Sequence, residues 1–113
     1  MVGGFLVYLM GIDVGTSNTK ILIMNDIGDV IAEASEEYTI SVPRPGYVEQ
    51  NPEWWWNAVK VSIQKVLKSS HVDPKDIEAI GLTGQMHGTI LLDKDLKPLR
   101  PAIIWADKRS LVQ

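Results

Sequence analysis

No cysteine occurs among the 113 residues, which excludes disulfides and thiolate metal centres and fits a reducing, cytoplasmic setting. Nor is there an excess of basic residues: 11 Lys and Arg against 14 Asp and Glu give a formal net charge of −3. That balance offers no general attraction to nucleic acid or to an anionic membrane, so neither is expected as a partner. An anionic ligand must then be held by local backbone and side-chain geometry. No apolar run approaches the ~20 residues that span a bilayer. The apolar start, Met1 to Met10, has no basic leader and no clear cleavage site, and it runs straight into Gly11-Ile12-Asp13. It reads as a buried first strand with a few residues before it. Internal repeats and low-complexity tracts are absent. The length suits one small core and leaves too little chain for two lobes with a cleft between them.

Leu6 to Ile12 is a continuous apolar run of strand length, Thr19 to Met24 a second, and Val30 to Ala34, extending toward Thr39, a third. The connections between them are short turns, including Asn25-Asp26-Ile27-Gly28-Asp29, and short turns predict an antiparallel meander. Ser41 to Gly46 holds Pro43 and Pro45 and is not regular structure; Glu49 and Gln50 also read as loop. A helix is predicted from Asn51-Pro52-Glu53, where Asn51 caps free N–H groups, Pro52 suits the first position and Glu53 favours the positive end. Trp55, Val59, Ile63, Val66 and Leu67 form its apolar stripe, so not all of Trp54, Trp55 and Trp56 can face the core. Asp73-Pro74 makes a turn, Ile77 to Leu82 a strand, Thr83 to Gly88 a loop and Thr89 to Leu92 another short strand. Ile103-Ile104-Trp105 is expected to be the last strand. Three strands, a helix and a further strand predict a mixed α/β fold with one helical crossover.

The stretch Asp13 to Lys20 lies between two apolar strands. Gly15 lets the backbone approach a ligand because it carries no Cβ. Thr16, Ser17 and Thr19 supply hydroxyls, and exposed N–H groups in such a turn cradle anionic oxygens. Lys20 adds positive charge if strand alternation leaves it on the ligand's side. Asp13, ending a buried strand, is placed to hold Mg2+ through water, since that ion prefers oxygen and keeps part of its hydration shell. The residues fit equally a β-hairpin with a polar tip, in which Asp13 only hydrogen-bonds its own turn. The spacing is neither a Walker A loop nor a Rossmann glycine motif.

The pattern D-x-G-T-S-x-T-K at Asp13 to Lys20 resembles the first phosphate loop of the actin, Hsp70 and sugar-kinase superfamily. Three later segments narrow the resemblance. Pro45-Gly46-Tyr47-Val48-Glu49-Gln50-Asn51-Pro52, followed by Trp54-Trp55-Trp56, looks like the stretch before the first helix of FGGY carbohydrate kinases. Gly84-Gln85-Met86-His87-Gly88 looks like the sugar-contacting loop of the xylulose kinases in that family. Pro101 to Arg109, with Trp105-x-Asp107-x-Arg109, resembles the family's next segment. The four segments stand in the family's order and cover the chain from Leu9 onward.

The resemblance implies an actin/Hsp70/sugar-kinase-like (ribonuclease H-like) mixed sheet. It implies transfer of the γ-phosphoryl of ATP to a sugar hydroxyl, with a ketopentose as the substrate, D-xylulose giving xylulose 5-phosphate. Asp13 with Mg2+, and Gly15, Thr16, Ser17, Thr19 and Lys20, would serve the nucleotide phosphates. Gln85, Met86, His87, Trp105 and Asp107 would serve the sugar. Each of these has a plainer role open to it: His87 in a turn, Met86 in a core, Trp105 anchoring a strand, Asp107 and Arg109 capping a helix. In the family the catalytic aspartate and the adenosine-binding lobe lie far downstream, so the general base is expected beyond Gln113 and no residue of the chain is assigned that role. The chain is therefore expected to be the N-terminal part of the first kinase domain, inactive alone and prone to self-association through apolar surface meant for the missing part. Kinases for glycerol, ribulose or gluconate fit the same pattern. A non-catalytic actin- or Hsp70-like module explains the first loop only, and a nuclease of similar topology needs further carboxylates converging on metal.

Overall fold

The structure, a computed structural model, describes residues 7–112. The Leu6 end of the first expected strand therefore lies outside the described residues, and so does Gln113, the position beyond which the catalytic base is expected. Three strands form the meander: β1 (Tyr8–Val14), β2 (Asn18–Asn25) and β3 (Val30–Glu37), paired antiparallel. Two residues of β4 (Glu49–Gln50) precede α1 (Pro52–Ser70), and a short 3-10 turn at Pro74–Asp76 leads into β5 (Ile77–Gly84). β5 pairs parallel with β1, giving the sheet order β3-β2-β1-β5, so the helix is the crossover between the meander and its parallel neighbour. A separate pair joins β4 to β6 (Ala102–Ile103).

Alternation along the strands sets the core. Met10 and Ile12 of β1 and Ile21 and Ile23 of β2 turn to the α1 side, where they meet Val59 and Val66. Ile21, Ile23 and Val66 are wholly buried, each contributing about 1.5–3 kcal/mol. The predicted helix start is observed: the Asn51 side chain accepts the Glu53 N–H at 3.0 Å. The helix ends at His71, whose φ of 57° is left-handed. Trp56 faces solvent with Lys60 over its ring. The helix lies over β2 and β3 and leaves β5 uncovered, so Ile80 and Leu82 are 60% and 74% exposed.

Several sequence expectations need correction. Glu49 and Gln50 are not loop but a short strand, and both are buried because their side chains find partners inside the protein. Thr83 and Gly84 continue β5 instead of opening the loop. Thr89 to Leu92 makes only single bridges, to Ile103 and Pro98. The last strand ends at Ile103, leaving Trp105 beyond it. Around the small sheet, Glu49 is held by Arg100 and by Arg109 at 2.6 Å, and the Arg109 guanidinium lies 4.0 Å over the Tyr47 ring.

Candidate functional site

The turn between β1 and β2 is closed by the Gly15 N–H on the Asn18 carbonyl at 2.9 Å. Its own carbonyls all face the protein. Val14 O accepts the Gln85 N–H at 2.9 Å, and Gly15 O accepts the Tyr38 hydroxyl at 2.5 Å. Thr16 O accepts the Gln50 amide at 2.7 Å, and Ser17 O the Tyr38 N–H at 3.0 Å. A peptide is planar and trans, so an N–H points opposite to the carbonyl before it; with Gly15 O bonded to Tyr38 and Thr16 O to Gln50, the Thr16 and Ser17 N–H groups point away from those two partners. The Thr16 and Ser17 N–H groups enter none of the turn's hydrogen bonds. Two adjacent outward amides make a concavity suited to an anionic oxygen.

Asp13 is the residue before this turn. Lys20 stands opposite it on β2 and Thr83 on β5, all on the sheet face that α1 does not cover. Gly11 and Gly81 lie one pair further along that face, and the surface there forms a shallow cavity of about 480 Å³. Asp13 is exposed and enters no ion pair and no side-chain hydrogen bond among the described residues, so it does not brace its own turn. Lys20 pairs with Glu33 at 3.4 Å, both well exposed, an interaction of small energy that a ligand can displace.

Thr19 does not present its hydroxyl to solvent. The side chain is wholly buried, on the same face of β2 as Ile21 and Ile23, and the hydroxyl shares a 3.2 Å hydrogen bond with Tyr38. Thr19 thus supports Tyr38, which in turn supports Gly15 O. Burial pushes the Tyr38 phenol above its ordinary range, the Thr19 hydrogen bond opposes this and the Asp13 charge adds to it; Tyr38 stays a neutral donor.

β5 delivers the second half of the site. At Gly84 a Cβ would lie 2.8 Å from the Val14 carbonyl, so only glycine lets β5 run this close to β1 and bring Gln85 under the turn. The Gln85 amide donates to Gln50 at 2.9 Å and, weakly, to Gly15 O at 3.4 Å. Met86 is 71% exposed, and exposed His87 takes a left-handed φ of 62°. Trp55, Gln85, His87 and Ile90 line a cavity of about 470 Å³. Trp105, more than half exposed, donates its indole N–H to the Thr16 hydroxyl at 2.8 Å, bridging the two halves.

Asp107 takes the plainer of its two roles. Its carboxylate is buried and accepts from the Val48 N–H at 2.7 Å, from the Arg109 N–H at 2.9 Å and from the Arg109 guanidinium. The Arg109 hydrogen bonds hold the carboxyl well below the usual carboxylate range, and Arg109 is pushed further up in turn by Asp107 and Glu49. A group so committed has no free oxygen for a sugar hydroxyl. Sequence reasoning passed over Tyr38 and Gln50, which hold the turn. The only local signal for Gln50 was its place directly before the helix cap.

Among the described residues no three or more His, Cys, Asp or Glu side chains gather as a metal centre. Magnesium needs no such cage, since it commonly takes one or two carboxylates with substrate phosphates and water. A lone, exposed, unpaired Asp13 beside an amide nest fits that pattern. No helix among the described residues is long and apolar enough to cross a membrane.

Residues 8–112 match the model of the FGGY family of carbohydrate kinases, N-terminal domain. Xylulose kinase of Escherichia coli (strain K12) is 45% identical over 100 residues, covering 88% of this chain and 20% of that protein. A solved xyloylose (xylulose) kinase from Brucella ovis superposes with a TM-score of 0.84 at 39% identity, over 91% of this chain and 22% of that one. A gluconate kinase structure from Lactobacillus acidophilus gives a TM-score of 0.84 at 34% identity, over 96% of this chain and 22% of that one. The chain spans about a fifth of the length of the curated relatives it matches.

Proposed function

Since the chain belongs to the FGGY family of carbohydrate kinases and has the mixed sheet of the actin/Hsp70/sugar-kinase fold, we propose that it carries the phosphate turn and the sugar loop of an ATP-dependent kinase. In this reading the full-length protein phosphorylates D-xylulose to xylulose 5-phosphate. The observation that carries it is the Val14–Ser17 turn, whose carbonyls are all held inward while the Thr16 and Ser17 amides stay open beside an exposed Asp13. Phosphoryl transfer depends mainly on positioning and on neutralising oxygen charge, and this turn offers both at one strand end. Bound Mg2+ would neutralise phosphate oxygens, with Asp13 holding it through water. Lys20, on the same face, would leave Glu33 for a phosphate, while Gly15, where a Cβ would come within 3.0 Å of the Asn18 carbonyl, keeps the turn tight and Thr19 acts only from behind.

The sugar would occupy the cavity lined by Trp55, Gln85 and His87, and exposed Met86 and Trp105, each next in sequence to a lining residue, would add further contacts. His87 is exposed there, and its left-handed backbone turns it out of the strand path, leaving the imidazole available to a hydroxyl. The choice of D-xylulose rests on the names of the most similar relatives. The gluconate kinase neighbour makes a different sugar acid or polyol the second reading.

The group that takes the proton from the attacking hydroxyl, and a second nucleotide-binding lobe, are proposed to lie downstream of Gln113, outside these 113 residues, which form the first part of the first kinase domain. The isolated chain would then bind without turnover, and its uncovered Ile80 and Leu82 would favour self-association. Sugar-dependent ADP release by the isolated chain, abolished by Asp13→Ala, would overturn that division of labour. For the activity itself, ADP release by the full-length protein is measured against D-xylulose, ribulose, gluconate and glycerol. D-xylulose should give the highest kcat/KM, by about tenfold or more. A higher value for gluconate or glycerol moves the assignment to that sugar, and no release with any of them refutes the kinase reading.

A further inference from the structure

The side-chain amide of Gln50 joins the two halves of the proposed site. It is wholly buried. Its Nε2 donates to Thr16 O at 2.7 Å and to Thr39 O at 3.0 Å. Its Oε1 accepts from the Trp55 indole N–H at 2.9 Å and from the Gln85 amide at 2.9 Å. A primary amide has two N–H donors and one oxygen with two lone pairs, and here every one is used. The amide therefore has a single orientation. Turned over, its oxygen would face two carbonyls and its NH2 two donors, and such buried mismatches are costly.

That orientation has consequences on both sides. Toward the nucleotide, it fixes Thr16 O inward and so, through the planar peptide, aims the Ser17 N–H outward. Toward the sugar, it is gripped by Trp55 and Gln85, which both line the cavity assigned to the sugar. A ligand that shifts either grip changes the hold on Thr16 O, and a ligand that pulls on the Ser17 N–H is felt at Trp55 and Gln85. Coupling of this kind is reciprocal by linkage.

We propose that Gln50 is a positioning residue that couples the two ligands, so that sugar binding tightens nucleotide binding through this one amide. The inference rests on the functional reading above, which places phosphates at the turn and sugar in the cavity. It explains why a fully polar, fully buried side chain stands in a short strand that packing alone would fill with an apolar residue.

The test is calorimetric titration of a non-hydrolysable ATP analogue with Mg2+ into the full-length protein, with and without saturating D-xylulose. In the unaltered protein the sugar should tighten the analogue about fivefold or more. Gln50→Glu keeps the acceptors for Trp55 and Gln85 but sets oxygen against Thr16 and Thr39, and Gln50→Met removes every bond. In both, the sugar's effect should fall to about twofold or less. If circular dichroism shows that these variants fail to fold, Trp55→Phe carries the test; it keeps an apolar ring, removes one donor, and should at least halve the effect. A purely structural Gln50 would lower the melting temperature and leave the sugar's effect intact, so a folded variant that keeps the full effect overturns the proposal. So does an unaltered protein that binds both ligands independently. An unaltered protein that binds neither refutes the functional reading itself.

Discussion

The Trp105 indole N–H meets the Thr16 hydroxyl at 2.8 Å, although the two residues are 89 positions apart. Trp105 is more than half exposed, so the bond does little for the fold and much for the position of the turn. A neutral hydrogen bond contributes about 0.5–1.5 kcal/mol. Trp105→Phe keeps an aromatic ring and removes the donor. It should raise the nucleotide KM about two- to tenfold, the rate equivalent of that energy, while the unfolding midpoint barely moves. Steady-state kinetics beside urea denaturation checks this; a large stability loss with an unchanged KM would make Trp105 a structural anchor.

Gly84 and Gly81 lie in the same strand and should respond oppositely to alanine. At Gly84 the added Cβ would sit 2.8 Å from the Val14 carbonyl, whereas at Gly81 nothing lies within 4 Å. Gly84→Ala should cost about 1–3 kcal/mol as β5 is pushed from β1, and it should weaken both ligands because Gln85 moves with it. Gly81→Ala should be neutral or stabilise by about 0.4–1 kcal/mol through the unfolded chain. Denaturant titration of the pair decides; equal effects would show that the sheet yields at Gly84.

The elements whose causes are local were legible in the sequence. Asn51, Pro52 and Glu53 carry the start of α1 within three residues, and the apolar stripe fixes its buried face. The meander followed from short turns and alternation. Thr19 was misassigned to the phosphates, although it shares a strand face with Ile21 and Ile23 and period-two alternation places its hydroxyl inside. Gln50 was not readable. Its partners at Thr16, Thr39, Trp55 and Gln85 lie up to 35 positions away, and no local pattern announces a side chain whose role is to join them. Asp107 was ambiguous for the same reason: its capping of Arg109 is local, but the Val48 N–H that completes its enclosure is 59 positions away.

Asp107 sets a pH dependence with a definite sign. Its folded carboxyl is held below the ordinary range chiefly by hydrogen bonds from Arg109. A depressed folded value means the unfolded chain takes up the proton first. The stabilisation is therefore complete above the ordinary aspartate value of about 3.9 and is lost progressively as pH falls below it. Asp107→Asn should be less stable than the unaltered protein near neutrality, and the gap should narrow through the acid range. Urea midpoints measured from about pH 6 down to about pH 2.5 test this. A gap that stays constant with pH would mean that the ion pair with Arg109 adds nothing beyond the neutral hydrogen bonds.

Asp13 separates a ligand site from a decorated hairpin. A carboxylate that braced its own turn would accept hydrogen bonds there, and its removal would loosen the hairpin. Instead the turn is held by Tyr38, Gln50 and Gln85, and Asp13 stands exposed without an ion pair among the described residues. Asp13→Asn should therefore leave the unfolding free energy within about 0.5 kcal/mol, as for other unpaired surface positions. Its cost should fall on chemistry. Loss of one aimed charge at a phosphoryl-transfer site lowers kcat by about 10²–10³-fold, and the Mg2+ concentration needed for half-maximal rate should rise with it. The measurement is kcat against Mg2+ concentration for both proteins, with denaturation curves alongside. A variant that loses stability but keeps its kcat and its Mg2+ dependence would return Asp13 to the hairpin and take the metal away from it.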